Sequence, residues 1–347
     1  MSERRTYLDV GVGETRGVVT LDGRPERLLI RRDGDLACQA LGAEVVGRVR
    51  KVERQLALAF VDLGEGPDGV LNLRPDVARL VEGQAVRVEV RSEARAGKGA
   101  SLRLVGEAEG PPRLLTAAPS LETELAGVAS RAELVTGGVA RATADSAEAE
   151  ALETVFPLPG GGTVAIEATR ALIAVDVDLG ERGGSDAKRA TRAANFAALT
   201  TAARVLRLKG EGGLVVIDLA GRGHDGPALI SGARLAFGPD NPGVAFGPIS
   251  RFGTLELTVP RRRRSLADHL LDPAGQATAV TLALRLIRQL ERAATADPGA
   301  RLEARAVSDV AEAAQPYLAA LTDRFGARLS LVADPARSRD SPQVTPA

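Results

Sequence analysis

Two apolar runs in this sequence each end on a carboxylate. Ala171-Leu172-Ile173-Ala174-Val175 stops at Asp176, and Leu214-Val215-Val216-Ile217 stops at Asp218. Carboxylates at strand ends sit at the rim of a sheet, where α/β folds usually build their sites. Asp178 follows Asp176 by two residues, so in an extended segment both point to the same side. Three oxygen donors with no soft ligand nearby suit Mg²⁺, which takes a few carboxylates and fills its shell with water and phosphate. Such an ion can activate a water and stabilise a leaving oxygen in phosphodiester hydrolysis. The same aspartates can instead cap strands or helix N-termini, and the pattern alone leaves both readings open. Other chemistries lack material. The single cysteine, Cys38, excludes internal disulfides and a multi-cysteine zinc site within the chain. With His224 and His269 as the only histidines, a Ser-His-Asp arrangement has almost none either.

Candidate strand-gripping residues lie elsewhere in the chain. Arg251, in Ile249-Ser250-Arg251-Phe252-Gly253, could contact phosphate, as could the run Arg261-Arg262-Arg263-Arg264, although four arginines in a row more often form a solvated surface. Phe60 ends an alternating segment and could stack a base, where a lone Phe is more often core. Lys98, in Gly97-Lys98-Gly99, is exposed by its turn. A rival reading starts from Asp9-Val10-Gly11-Val12-Gly13-Glu14-Thr15, because an aspartate, glycines and a threonine after a strand can cradle nucleotide phosphates in actin-like ATPases. No second loop of that kind follows, and the glycines do not make a dinucleotide fingerprint.

The elements that must carry these residues are legible in outline. At 347 residues the chain implies two or three domains. Hydrophobic residues at 44% and charged residues at 26% are those of a globular chain, excluding collagen, rod, disordered tail and membrane bundle. Net charge is zero, so bulk electrostatics gives no argument for a polyanion. All but four of the basic residues are arginine, whose planar fork suits phosphate but whose abundance can equally reflect genome composition. No apolar leader or long apolar run is present, and a cytoplasmic location away from membranes is expected. Residues 6–32 read as a hairpin turning at Asp22-Gly23. The short alternating segments of 42–105 read as a five-stranded barrel of the oligonucleotide-binding type. Residues 106–160 are weakly patterned, with a short helix expected near Ser146–Thr154. Strand 163–167, the Asp176 strand, a helix over 186–208 and the Asp218 strand suggest a sheet covered on both faces. Helix 276–296, strand 301–307, helix 309–325 and strand 328–332 follow, with a loose end beyond Asp334.

These residues resemble the catalytic region of the ribonuclease E/G family. Glu14-Thr15-Arg16, Asp22-Gly23 and Leu29-Ile30-Arg31-Arg32 are similar to its opening hairpin. Gly47-Arg48-Val49 through Ala59-Phe60-Val61-Asp62-Leu63-Gly64, with Gly97-Lys98-Gly99-Ala100, is similar to its inserted RNA-binding barrel. The most specific match runs from Gly161-Gly162-Thr163 through Ala174-Val175-Asp176-Val177-Asp178. It continues at Asn195, Arg207-Leu208, Gly212 to Asp218, and Ile249-Ser250-Arg251-Phe252-Gly253-Thr254-Leu255-Glu256. The resemblance implies an α/β fold: an RNase H-like/DNase I-like catalytic core, an inserted OB-type (S1-like) β-barrel and a small α/β C-terminal domain. The implied division is 1–40 and 107–157 for the RNase H-like part, the second piece including a shortened sensor region, and 41–106 for the barrel. Residues 158–265 would be the DNase I-like part, 266–335 the C-terminal domain and 336–347 a loose tail.

The activity implied is Mg²⁺-dependent endonucleolytic cleavage of single-stranded RNA, in RNA processing or decay. Asp176 and Asp218 would hold the ion, Asp178 would support them, and Phe60, Lys98 and Arg251 would grip the strand. Several family features are missing. Asp178 stands where the family usually has Asn, and Gly221 where an aspartate often follows the second ligand. The paired cysteines that share zinc between protomers are absent near 261–277, so any homo-oligomer is not zinc-linked. The pocket segment for an RNA 5′-monophosphate is missing from the shortened 110–140 stretch. Val70 occupies the second aromatic position of the barrel, a loss of roughly 1–3 kcal/mol if a whole stacking platform is gone. These departures motivate the alternative of a catalytically impaired RNA-binding protein that keeps the barrel.

Overall fold

Asp22 (φ 51°) and Gly23 (φ 77°) both take left-handed backbone, as a two-residue type I′ hairpin turn requires. In the computed structural model, which describes residues 3–73, 80–95, 97–130, 132–180, 187–238 and 241–346, this turn joins β2 (Glu14–Leu21) to β3 (Arg24–Arg32). β1 (Arg4–Val10) pairs antiparallel on the other side of β2.

The chain then enters a barrel. β4 (Glu44–Glu53), β5 (Leu58–Asp62), β6 (Gly69–Asn72), β7 (Ala85–Ser92) and β8 (Ser101–Glu107) pair in the order β5-β6-β8-β7-β4, and a β4–β5 pairing closes the ring. Alternation along the strands sends Val45, Val49, Val61, Val86, Val88 and Val90 inward, the period-two pattern of a strand with one buried face. β9 (Arg113–Thr116) adds to β4 on the outside. The five-stranded closed barrel expected from the sequence is present.

After the barrel the chain returns to the first sheet. α1 (Leu121–Val128) is capped by the Ser120 hydroxyl, which accepts from Thr123 N–H. β10 (Leu134–Thr136) then pairs parallel with β1. α2 (Gly137–Leu152) packs Ala144, Ala147 and Ala151 against Val18 and Leu28. The short helix expected near Ser146–Thr154 is therefore the end of a 16-residue one. Its buried stripe is alanine, which fills a close contact without a strong apolar period.

The third unit contains β11 (Val155–Pro157), β12 (Thr163–Ala168), β13 (Ile173–Asp178), α3 (Ala187–Lys209), β14 (Gly213–Asp218), α4 (Gly226–Phe237), β15 (Ala245–Ile249) and β16 (Thr254–Val259). The strands order β11-β12-β13-β14-β16-β15, and only β13 and β14 run parallel to each other. Ile173, Val175, Val177, Val215, Ile217, Leu255 and Leu257 face α3 and α4 in one core. The opposite residues, among them Asp176, Asp178, Leu214, Asp218, Glu256 and Thr258, are exposed. The expected two-sided cover is corrected: helices lie on one face, and the other is open. Apolar runs misled because Ala174, Leu214 and Val216 occupy open-face positions where polar residues usually stand.

α5 (Leu266–Leu270) adds Leu266 and Leu270 to the core of the first sheet and α2, while α6 (Ala279–Ala296), β17 (Leu302–Ala306), α7 (Ser308–Phe325) and β18 (Leu329–Ala333) build around a separate core. The tail beyond Asp334, expected to be loose, instead turns back as β19 (Gln343–Pro346) and pairs antiparallel with β17. Arg339 holds it by donating to Asp309 and to the Ala277 carbonyl. No helix among the described residues is long and apolar enough to cross a membrane.

Candidate active site at the open sheet face

β13 and β14 pair in parallel with Asp176 directly opposite Asp218. Adjacent strands lie about 4.8 Å apart and partners in register point to the same face. Both aspartates are exposed on the open face. The separation that the sequence leaves undetermined is thus fixed by register, and the two carboxylates are neighbours. Asp178 shares their face two residues on, at the strand end opposite Thr163, and its side chain accepts the Gly180 N–H at 2.9 Å. One of its oxygens therefore shapes the turn leaving β13. Among the described residues no group of three or more His, Cys, Asp or Glu is close enough to hold a metal. The compact donor set is the Asp176–Asp218 pair, with Asp178 beside it. Two hard, exposed carboxylates fit Mg²⁺, whose remaining positions are ordinarily water and phosphate.

The loop after Asp218 is held from beneath. Asn195, on the core face of α3 and 1% exposed, donates from Nδ2 to the Ala220 carbonyl and accepts Ala220 N–H at Oδ1, both at 3.0 Å. At Gly221 the backbone takes φ +83°, and an added Cβ would meet the Thr191 methyl at 2.7 Å. An aspartate there would need both a strained backbone and a displaced α3.

On the other flank, Thr254 is the register partner of Asp218. The turn before it is tied by Ser250, whose hydroxyl accepts the N–H groups of Phe252 and Thr254, and Leu219 N–H donates to the Gly253 carbonyl. Arg251 and Phe252 are thereby displayed beside the aspartate pair, the guanidinium 4.6 Å from the ring centroid. His224 packs under this turn with Nε2 buried and unpaired.

Phe60 and Lys98 do not join this cluster. They line a groove of about 340 Å³ on the barrel, with Asp68, Val70, Arg95 and Ser101. Phe60 faces Val70 across the β5–β6 pair. Lys98 and Arg95 close a turn through reciprocal backbone bonds. Gly99 is required there, since a Cβ would fall 1.8 Å from the Asp68 carbonyl oxygen. The groove is joined at Glu93 to the segment that follows β16, the Glu93 N–H donating to the Arg262 carbonyl and its carboxylate accepting Arg264 N–H. The arginine run is mostly scaffold. Arg261 binds Gly212 and Glu211, Arg263 binds Glu93 and Glu124, and Arg264 binds the Asp268 carbonyl. Arg262 remains exposed.

The actin-like reading of the opening strand is also answered. Asp9 is 3% exposed and lies 2.6 Å from Arg16, while Glu14 binds Arg32 and Arg288. These charges are internal ion pairs with no face left for a nucleotide. Sequence reasoning missed Asn195 as a loop anchor, although a polar residue beside Phe196 and Leu199 on the helix face was its signal. It also gave no role to Ser250 and Phe252, although it quoted the motif that holds them, nor to Glu93, which no local pattern marks.

Comparison with known proteins bears on the same cluster. The model of the Ribonuclease E/G family matches residues 125–264, a span holding Asp176, Asp178, Asn195, Asp218 and Arg251. Over this span the chain is similar to the ribonuclease E/G family. Ribonuclease E of Haemophilus influenzae is 35% identical over 148 residues, 40% of this chain and 16% of the relative. Ribonuclease E of Escherichia coli K12 is 33% identical over 148 residues, 40% of this chain and 14% of the relative. The chloroplastic ribonuclease E/G-like protein of Arabidopsis thaliana is 30% identical over 124 residues, 34% of this chain and 12% of the relative. The matches thus span under a fifth of each relative, and the family span includes neither Phe60 nor Lys98.

Proposed function

We propose that this protein is a Mg²⁺-dependent endoribonuclease that cuts single-stranded RNA, as a ribonuclease E/G-like enzyme of RNA processing or decay. The observation that carries this reading is the in-register pair Asp176–Asp218 on the open face of a sheet. Asp176 and Asp218 would hold the ion, which when bound supplies an activated water and a counter-charge for the phosphodiester. Asp178 keeps the turn after β13 in shape and adds negative charge that favours a cation at the pair. Asn195 fixes the loop that follows Asp218. Arg251 offers a fork to a phosphate beside the pair. Phe60 and Lys98, in their barrel groove, would hold the strand away from the point of cutting, Phe60 by stacking and Lys98 by charge.

The reading includes the division into an RNase H-like part, an S1-like barrel, a DNase I-like part and a small C-terminal domain, and a cytoplasmic location. An oligomer, where it forms, uses contacts other than shared zinc, since the chain has one cysteine and Cys38 is buried. The test is Asp218→Asn, which keeps shape and removes charge. With a labelled single-stranded oligoribonucleotide and Mg²⁺, the wild type cleaves internally and the variant loses at least a hundredfold in rate. Equal cleavage by the variant would overturn the assignment. A wild-type protein that binds the oligonucleotide but never shortens it, with Mg²⁺ or Mn²⁺, would leave the RNA-binding alternative.

A further inference from the structure

Phe252 is 76% exposed, although it is one of only seven phenylalanines in the chain. Exposing a large aromatic forgoes about 1.5–3 kcal/mol of burial, so its position calls for a reason. It is not a floppy tip. The Ser250 hydroxyl accepts from Phe252 N–H, and Gly253 takes the left-handed backbone (φ +91°) that closes the turn. The Arg251 guanidinium stacks on the ring, 4.6 Å from its centroid. The turn leads directly into Thr254, the register partner of Asp218. A rigid aromatic plate therefore stands at the edge of the aspartate pair, backed by a cation.

We propose that Phe252 is a nucleobase-stacking subsite, with Arg251 behind the ring and a base of the single-stranded RNA on its outer face, next to the cut phosphodiester. Every base has a π-face, so such a plate grips without reading sequence, and a guanidinium adds cation–π attraction to the stack. A base pinned there orients the adjoining phosphate toward Asp176 and Asp218. This inference rests on the nuclease reading and deepens it with a second stacking site, separate from the barrel groove around Phe60.

The chain contains no tryptophan, which gives a clean probe. Phe252→Trp in the Asp218→Asn background is titrated with a single-stranded decaribonucleotide in Mg²⁺. Stacking quenches the indole emission, and oligonucleotides carrying one abasic position, moved along the strand, abolish the quench at one register. In the otherwise wild-type protein, Phe252→Ala lowers kcat/KM by about tenfold on the intact strand. It has little further effect on the strand abasic at that register, whereas Phe252→Tyr keeps activity. Because the side chain is outside the core, melting is unchanged in all three variants. An unquenched indole, or additive losses from ring and base removal, in a protein whose wild type still cleaves would overturn the stacking site alone. A wild type that neither binds nor cleaves the strand would overturn the nuclease reading and this inference together.

Discussion

Asn195 shows how much a single amide can decide at the residue scale. Its two bonds to Ala220 form a buried polar link between the long helix and the loop leaving Asp218. Truncating it leaves a backbone donor and acceptor without partners in a nearly dry position, at a cost of about 1–3 kcal/mol. Asn195→Ala is expected to lower the melting temperature and, on the nuclease reading proposed above, to reduce kcat more than it raises KM, because the loop it anchors follows directly on Asp218. A variant with unchanged melting and unchanged kcat would show that the loop holds itself. The aspartates themselves were legible in the sequence because two apolar runs stop at them. Asn195 was marked by the resemblance without a role, and its partner across 25 residues could not be read from spacing.

At the scale of elements, legibility followed periodicity. The barrel strands, the Asp22-Gly23 hairpin and α3 have strong alternation or a strong apolar face, and they stand close to where the sequence puts them. α2 was shortened because its buried stripe is alanine, and the open sheet face was missed because Ala174, Leu214 and Val216 make its strands read as buried. α5 is a different case: five residues, capped by Ser265, placing His269 in a buried niche. Burial, then the nearby Arg32 and Arg264, push the His269 imidazole down to about 4, with Asp35 opposing. The unfolded chain takes up this proton near 6.5, and the folded one only near 4. The associated stability is therefore complete above pH 6.5 and declines as pH falls toward 4, with a slope of at most about 1.4 kcal/mol per pH unit. Urea midpoints measured from pH 7 to pH 4.5 should fall for the wild type and fall less for His269→Gln. Asp145 works in a lower window. Burial alone would raise its carboxyl, but Arg16, Arg288 and Arg292 hold it below the ordinary carboxylate range, so its contribution is lost only at more acidic pH. Parallel pH profiles for wild type and His269→Gln would locate the loss elsewhere.

At the scale of the whole molecule, the first sheet and the C-terminal unit are fastened by charges with little access to water. Arg16 is fully buried and binds Asp9 at 2.6 Å, Asp145 at 2.8 Å and Glu148 at 3.2 Å. Arg288, from α6, shares Glu148 with Arg16 and also binds Glu14, and Arg285 binds Glu148 at 2.7 Å. No sequence pattern announces this, because the partners lie up to 274 residues apart and charged residues are ordinarily read as surface. Exposed pairs such as Arg305–Glu303 are worth little. Arg288 is a different case: its loss takes a buried partner from Glu14 and from Glu148, which keep Arg32 and the Arg16–Arg285 pair respectively, so the cost approaches but need not reach the about 3–5 kcal/mol of a fully broken buried pair. Arg288→Met, close in length and lacking the charge, should lower the urea midpoint substantially at pH 7, and added salt should change that loss little because the pairs are shielded from ions. In the Arg288→Met background, Glu148→Gln should cost less than it does alone, since one of the carboxylate's three arginine partners is already gone. Additive losses would mean that the acids find other partners, and that the two units are held by their apolar contacts rather than by this network.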